Sequence, residues 1–141
     1  MSNNNIIYKS RWSAKKSLIS ALVTLAVCCV LFLALPQIIG GDRYVRQVKG
    51  GHPNNYPNIS YAEAFESFYA IPEWRYSKMD GKDIIIFTGQ CTLNGSPVTV
   101  ELRYQIKDNS FWLIGGKIDN QEQSLARLQQ FDQKPFTDYK K

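Results

Sequence analysis

The chain is 141 residues long, 44% hydrophobic and 21% charged, with 17 Lys and Arg against 12 Asp and Glu and a net charge of +5. Four of the cations, Lys9, Arg11, Lys15 and Lys16, stand together ahead of residue 18, and the rest of the chain is close to neutral, thirteen against twelve. That distribution argues against the concentrated basic face of a nucleic-acid-binding domain, and the roughly 100 residues after position 40 give room for one core and not two.

Residues Leu18 to Leu35, LISALVTLAVCCVLFLAL, form the one uninterrupted apolar run. Continued through Ile39 as a helix it rises about 33 Å, enough to cross a hydrocarbon core of about 30 Å. The alternative is a cleaved secretory signal, which requires a shorter stretch and small residues at the cleavage site. This run instead passes into Pro36, Gln37, Ile38 and Ile39 with no A-x-A pattern, and Val27 is too bulky for a lipoprotein box ending at Cys28. We therefore expect a retained single-pass anchor over residues 18–39. Lys and Arg beside a span resist translocation. The cluster before the run has no acidic residue in it, whereas Arg43, Arg46 and Lys49 beyond it are partly offset by Asp42. Residues 1–17 are expected in the cytoplasm and the carboxyl-terminal part outside the inner membrane, with Tyr8, Trp12 and Tyr44 at the interfaces. Within the span Ser20, Thr24 and Cys28 recur every fourth position. Small residues let helices approach closely, so this stripe is the expected contact for self-association or for a partner helix, in addition to the lipid bilayer.

Residues 40–58, rich in Gly, Pro and Asn, read as a stem. Tyr44, Val45 and Val48 have helical spacing within it, so a short helix stopped by Gly50 and Gly51 is compatible with the sequence. The domain proper, residues 59–132, opens with Ser60 and Glu63 in a capping box. Tyr61, Phe65, Phe68 and Tyr69 then share one helical face up to Ile71 and Pro72, an aromatic stripe ready to cover a sheet.

Three two-residue turn signals follow, Asp80-Gly81, Asn94-Gly95 and Asp108-Asn109, separating four segments: Glu73 to Met79, Ile84 to Leu93, Val98 to Lys107 and Phe111 to Asp119. Taken as hairpins, they place Trp74, Phe87, Leu102 and Gly115 in one row and Tyr76, Ile85, Tyr104 and Leu113 in another, with Cys91 opposite Val98. All lie on one face. A slip of one residue would invert every side chain, so the agreement of three turns on one apolar surface argues for the register. Gly115 and Gly116 break the alternation, and a bulge there would return Ile118 to the core beside Val100. A weaker helix, Gln121 to Phe131, and a flexible tail, 133–141, complete the chain. The expected class is α+β: a helix on a four-stranded antiparallel meander behind a transmembrane helix.

Val48-Lys49 with Gly51, then Tyr56-Pro57-Asn58-Ile59-Ser60, Ala64-Phe65, Phe68, Pro72-Glu73-Trp74 and Phe87-Thr88-Gly89 together resemble an uncharacterised bacterial domain family. The resemblance covers about Val48 to Asn120. Its members carry a transmembrane helix, sometimes behind a zinc ribbon, and then this YP-x-[IV]-[ST] helix and Phe-x-Gly strand. The ribbon cysteines are lacking here, so the resemblance implies no metal site, and it implies an architecture without an established activity.

Few residues could carry chemistry. His52, the sole histidine, stands in a Gly-Gly-His-Pro loop with no Cys, Asp or Glu close by in sequence. Cys28 and Cys29 fall in the span and Cys91 on the buried face, which leaves no reasonable intramolecular disulfide. No G-x-S-x-G, P-loop or dinucleotide fingerprint occurs. Catalysis, a metal and a cofactor are accordingly not expected, and Ser60 of the Asn58-Ile59-Ser60 sequon is better explained as a cap.

The other face of the sheet is more informative. The same register puts Ile84, Gln105 and Trp112 in one row and Arg75, Ile86, Arg103 and Ile114 in the next, an amphipathic patch of residue types enriched where proteins bind partners. Two arrangements are compatible with it: an open binding surface, or a face covered by the last helix through Leu125, Leu128 and Phe131. The expected function is a non-catalytic interaction or ligand-binding domain held outside the cytoplasmic membrane. The alternatives are an accessory subunit of a membrane assembly such as a secretion apparatus, or an immunity or inhibitor protein against an envelope-acting toxin.

Overall fold

The computed structural model describes residues 41–139, so the predicted span, with Ser20, Thr24 and Cys28, lies outside the described residues. Among the described residues no helix is long and apolar enough to cross a membrane. The domain is α+β. Helix α1 covers residues 41–49, and α2, Tyr61–Phe68, leads into strands β1 (Ala70–Met79), β2 (Lys82–Leu93), β3 (Ser96–Lys107), β4 (Ser110–Ile118) and β5 (Gln121–Glu122), followed by α3 (Leu125–Asp138). The five strands form one antiparallel sheet in sequence order.

Each element follows from local chemistry. The amide of Gly50 closes α1 on the Arg46 carbonyl at 2.9 Å, and Val48 is fully buried. Tyr44 stacks on Tyr76 of β1 with ring centroids 5.6 Å apart. The segment expected as a stem thus contributes to the domain core. At α2 both halves of the capping box are present: the Ser60 amide donates to Glu63 Oε2 at 2.9 Å and the Glu63 amide to Ser60 Oγ at 3.3 Å. The helix stops at Phe68, three residues before the expected Ile71, because Tyr69 turns extended and carries its ring into the core while the chain enters β1.

The turns behave as the sequence predicts. Asp80-Gly81 and Asn94-Gly95 have positive φ at both residues, the requirement of a type I′ hairpin, whose twist matches the flanking strands. Trp74 pairs with Phe87, Phe87 with Leu102, Tyr76 with Ile85, Ile85 with Tyr104, Tyr104 with Leu113, and Cys91 with Val98, all as expected. One pairing is corrected. Leu102 faces Gly116, not Gly115, because the register shifts between Tyr104, paired with Leu113, and Arg103, paired with Gly115. Ile114 is the extra residue of this bulge. The shift brings Ile118 beside Val100 and places Gly116 where a Cβ would lie 2.0 Å from the Glu101 carbonyl oxygen, so that only glycine fits.

The carboxyl-terminal part differs from expectation. Asp119 and Asn120 both have positive φ and make a further hairpin turn, so Gln121 and Glu122 form a fifth strand where the start of a helix was expected. Helix α3 begins after the cap Ser124, whose Oγ accepts from the Arg127 amide at 3.4 Å, and runs through Pro135 to Asp138. Residues 133–138, expected as a flexible tail, are helical, and Pro135 and Phe136 are buried. The buried face of α3 joins Leu128, Phe131 and Phe136 to the cluster built by Val48, Phe65, Tyr69, Phe87, Leu102 and Tyr104. Among the described residues all three helices therefore lie on the same side of the sheet.

Candidate functional site

The second face of the sheet is where the sequence places a binding surface, and α3 packs on the opposite one. Rows across it run Ser77, Ile84, Gln105, Trp112 and Arg75, Ile86, Arg103, Gly115. Ile84 and Ile86 are almost fully buried although they stand outside the main core, while Trp112 and Ile114 are each about two-fifths exposed (42% and 41%). The bulge moves Ile114 out of the row of Arg103, where it was expected. Ile84, Arg103 and Ile114 nevertheless line one depression of about 150 Å³.

The arginines are not equivalent. Arg103 donates from Nε to Glu101 at 2.8 Å and from Nη2 to Glu122 of β5 at 2.9 Å, and its side chain is only 18% exposed. A planar guanidinium held by two carboxylates is a fixed, satisfied group and has little charge left for an incoming anion. Arg75 is the freer cation, 55% exposed, with Nη2 3.9 Å from Glu101. The surface thus offers a tryptophan and an isoleucine beside the exposed cation of Arg75, with Arg103 serving as the strut that ties β3 to β5.

A second site was not visible in the sequence. On the helical side a cavity of about 270 Å³ is walled by the rings of Tyr56, Tyr61 and Phe136, with Asp132, Asn55 and Gln133 at its polar side. Tyr56 stacks on Phe136 at 5.6 Å and Tyr61 meets the same ring edge-on at 4.9 Å. The loop bearing Tyr56 is held by its own amides, Tyr56 donating to the Pro53 carbonyl at 2.8 Å and Tyr61 to that of Gly51 at 3.0 Å. Asp132 Oδ1 accepts from the Tyr104 hydroxyl at 2.6 Å. Burial pushes the Asp132 carboxyl up to about 6, against the opposite pull of the Tyr104 and Tyr61 hydroxyls. The same burial holds the phenols of Tyr61 and Tyr104 well above their ordinary range. Among the described residues no Lys or Arg pairs with Asp132.

The signal for this site was the periodicity of α3. Leu128, Phe131, Pro135 and Phe136 mark its buried stripe, and Asp132, four residues after Leu128, falls on it. An acid on an apolar stripe is the informative observation, but it shows only when the helix is continued past Pro135.

The remaining candidates stay apart from both sites. His52 is exposed in its loop. Cys91 is free and half-buried, and burial raises its thiol pKa, the property of a packing residue and not of a nucleophile. No group of three His, Cys, Asp or Glu that could hold a metal ion occurs among the described residues. A wider open groove of about 650 Å³ beside Tyr44 alternates Arg43, Lys82 and Lys107 with Asp83 and Asp108, so it favours neither sign of charge. No protein-family model, no curated protein and no solved structure matches this chain.

Proposed function

We propose that this protein is a single-pass membrane protein that presents a small, non-catalytic binding domain on the outer side of the cytoplasmic membrane. The apolar run over residues 18–39 and the basic cluster before it support the anchor and its orientation. The observation that carries the binding role is the one-sided construction of the sheet. Three helices share one face, and the other carries exposed Trp112 and Ile114 above buried Ile84 and Ile86, with Arg75 alongside. Aromatic and arginine side chains over an apolar floor are the composition of interface centres. A partner protein docking there would cover Trp112 and pair with Arg75.

The test is a photo-crosslinking amino acid placed at Trp112 or Ile114 in the full-length protein in intact cells, with Gln129 on the exposed side of α3 as the control. A discrete adduct from the first two positions and none from the third supports the reading; equal labelling at all three, or none, rejects it. Fusions of a periplasmic and a cytoplasmic reporter to the carboxyl terminus check the orientation, with only the periplasmic one expected to be active.

A further inference from the structure

Between the end of α2, the end of β2 and α3 lies a groove with an apolar floor and a rim charged in one sign. Phe68, Cys91, Leu93 and Phe131 floor a depression of about 150 Å³, Arg127 and Lys134 stand beside it, and no acid lines it. One helical stripe supplies the rim. Arg127, Phe131 and Lys134 follow at spacings of four and three along α3, so they share the side that meets β2, with the ring between the two cations. Lys134 Nζ lies 5.8 Å from the centre of the Phe68 ring, at the edge of the floor. Its ion pair with Asp138, at 2.6 Å, is exposed on both sides and contributes little, so an incoming carboxylate can take the place of Asp138. Arg127 is exposed and joins no ion pair among the described residues. It stands in the first turn of α3, where no acid accompanies it and a cation opposes the helix dipole. The stability of the helix therefore does not account for this arginine.

Size and charge together identify the occupant. A depression of about 150 Å³ is smaller than small-molecule sites, which begin near about 300 Å³, and it holds one apolar side chain. The rest of the ligand must then run over the surface. Along the helix axis Arg127 lies about 6 Å before Phe131 and Lys134 about 4.5 Å after it. An extended chain turns every second side chain to one side, about 6.6 Å apart. A segment of the form acid-x-apolar-x-acid thus sets its apolar residue in the depression and a carboxylate within reach of each long cation. We propose that this groove docks an extended acidic segment of a partner protein, one apolar side chain filling the depression and the flanking carboxylates paired with Arg127 and Lys134.

The groove is on the helical side of the domain, so the proposal is independent of the sheet surface around Trp112. It is tested with the full-length protein in phosphatidylcholine nanodiscs and blocked pentapeptides, with affinity read by calorimetry. Glu-Ser-Leu-Ser-Glu should bind saturably and lose affinity as salt rises. Gln-Ser-Leu-Ser-Gln, without the charges, and Glu-Ser-Ser-Ser-Glu, without the apolar anchor, should each bind about tenfold more weakly or not at all. With photo-leucine at its centre the acidic peptide should attach to the segments carrying Leu93 or Phe131. Reversing the rim with Arg127→Glu and Lys134→Glu should abolish binding of the acidic peptide and create binding of Lys-Ser-Leu-Ser-Lys. Both positions are exposed, so the fold should hold. Absent binding of the acidic peptide, equal affinity for the Gln peptide, an adduct confined to other segments, or unchanged affinity in the reversed variant overturns the proposal. Tighter binding of hexanoate than of the acidic peptide also overturns it, and assigns the groove to a fatty anion. If the reversed variant does not fold, the peptide comparison and the adduct decide alone.

Discussion

Pro135 shows how one residue sets a requirement that another meets. Lacking an N–H, it cannot donate to the carbonyl four residues back, which belongs to Phe131. The Tyr69 hydroxyl donates to that carbonyl at 2.8 Å in the buried interior. Tyr69→Phe should cost about 1–3 kcal/mol in denaturant unfolding, the penalty of an orphaned buried acceptor. In a Pro135→Ala background the helix regains its own donor and the cost should shrink, a coupling that a double-mutant cycle measures. Asp132 makes a second prediction. Its pKa of about 6 in the fold exceeds the roughly 3.9 of an unfolded Asp, so the folded state binds the proton more tightly. The stabilising contribution is complete below pH 4 and is lost as pH rises through 6, on the order of 2 kcal/mol after allowing for partial solvation. Unfolding free energies from pH 4 to 8 should therefore fall more steeply for the native protein than for Asp132→Asn. Neither relation was legible from sequence. Both depend on a helix continuing through a proline, which local rules read as a stop.

At the scale of the element, the hairpins were legible because each two-residue turn fixes the parity of the strand that follows, and errors in parity expose apolar side chains at once. The β4 bulge was legible in kind, from the paired glycines, but not in position, since the shift depends on how Gly116 packs against the Glu101 backbone. β5 was hidden because its two residues are polar and too few to show alternation. Strand β1 has an irregularity of its own. Between Ala70 and Glu73 the register shifts, and Ile71 sits at φ 51° with 74% of its surface exposed. A β-branched residue in the left-handed region is strained. Ile71→Gly should thus gain about 0.5–1 kcal/mol, the relief of strain less the entropy of glycine, read as a higher denaturation midpoint at unchanged slope. A loss of stability would mean that Ile71 makes contacts that outweigh its strain. The bulge and Pro72 also roughen one edge of the sheet, while β5 shortens the other, and both features hinder edge-to-edge pairing with another sheet.

For the whole molecule, the two faces of the sheet should answer differently to mutation. Phe65 is fully buried between the helices and the sheet, with its ring 4.8 Å from Phe87 and 5.4 Å from Trp74. Phe65→Ala should cost about 3–5 kcal/mol. Trp112→Ala, on the exposed side, should stay within about 0.5 kcal/mol of the native protein while abolishing the crosslink to a partner. A large loss at Trp112 would identify it as a packing residue and remove the surface from consideration. The sequence located both faces through alternation, but it left open which of them α3 covers. That choice rests on Leu128, Phe131 and Phe136 together, and Phe136 lay beyond the expected end of the helix.

The placement of α3 also has a consequence in time. Five strands joined in sequence order by short turns assemble from near neighbours, so the sheet can form progressively as the chain is synthesised. The aromatic floor around Phe65 and Phe87 is closed only when Leu128, Phe131 and Phe136 arrive, and these belong to α3, which leaves the ribosome after every strand of the sheet. Until then the nascent domain carries a wide sticky surface. A chain stopped before residue 125 should keep its hairpins yet bind a hydrophobic dye and collect in aggregates, making the fourteen residues of α3 the checkpoint between a translated sheet and a closed core.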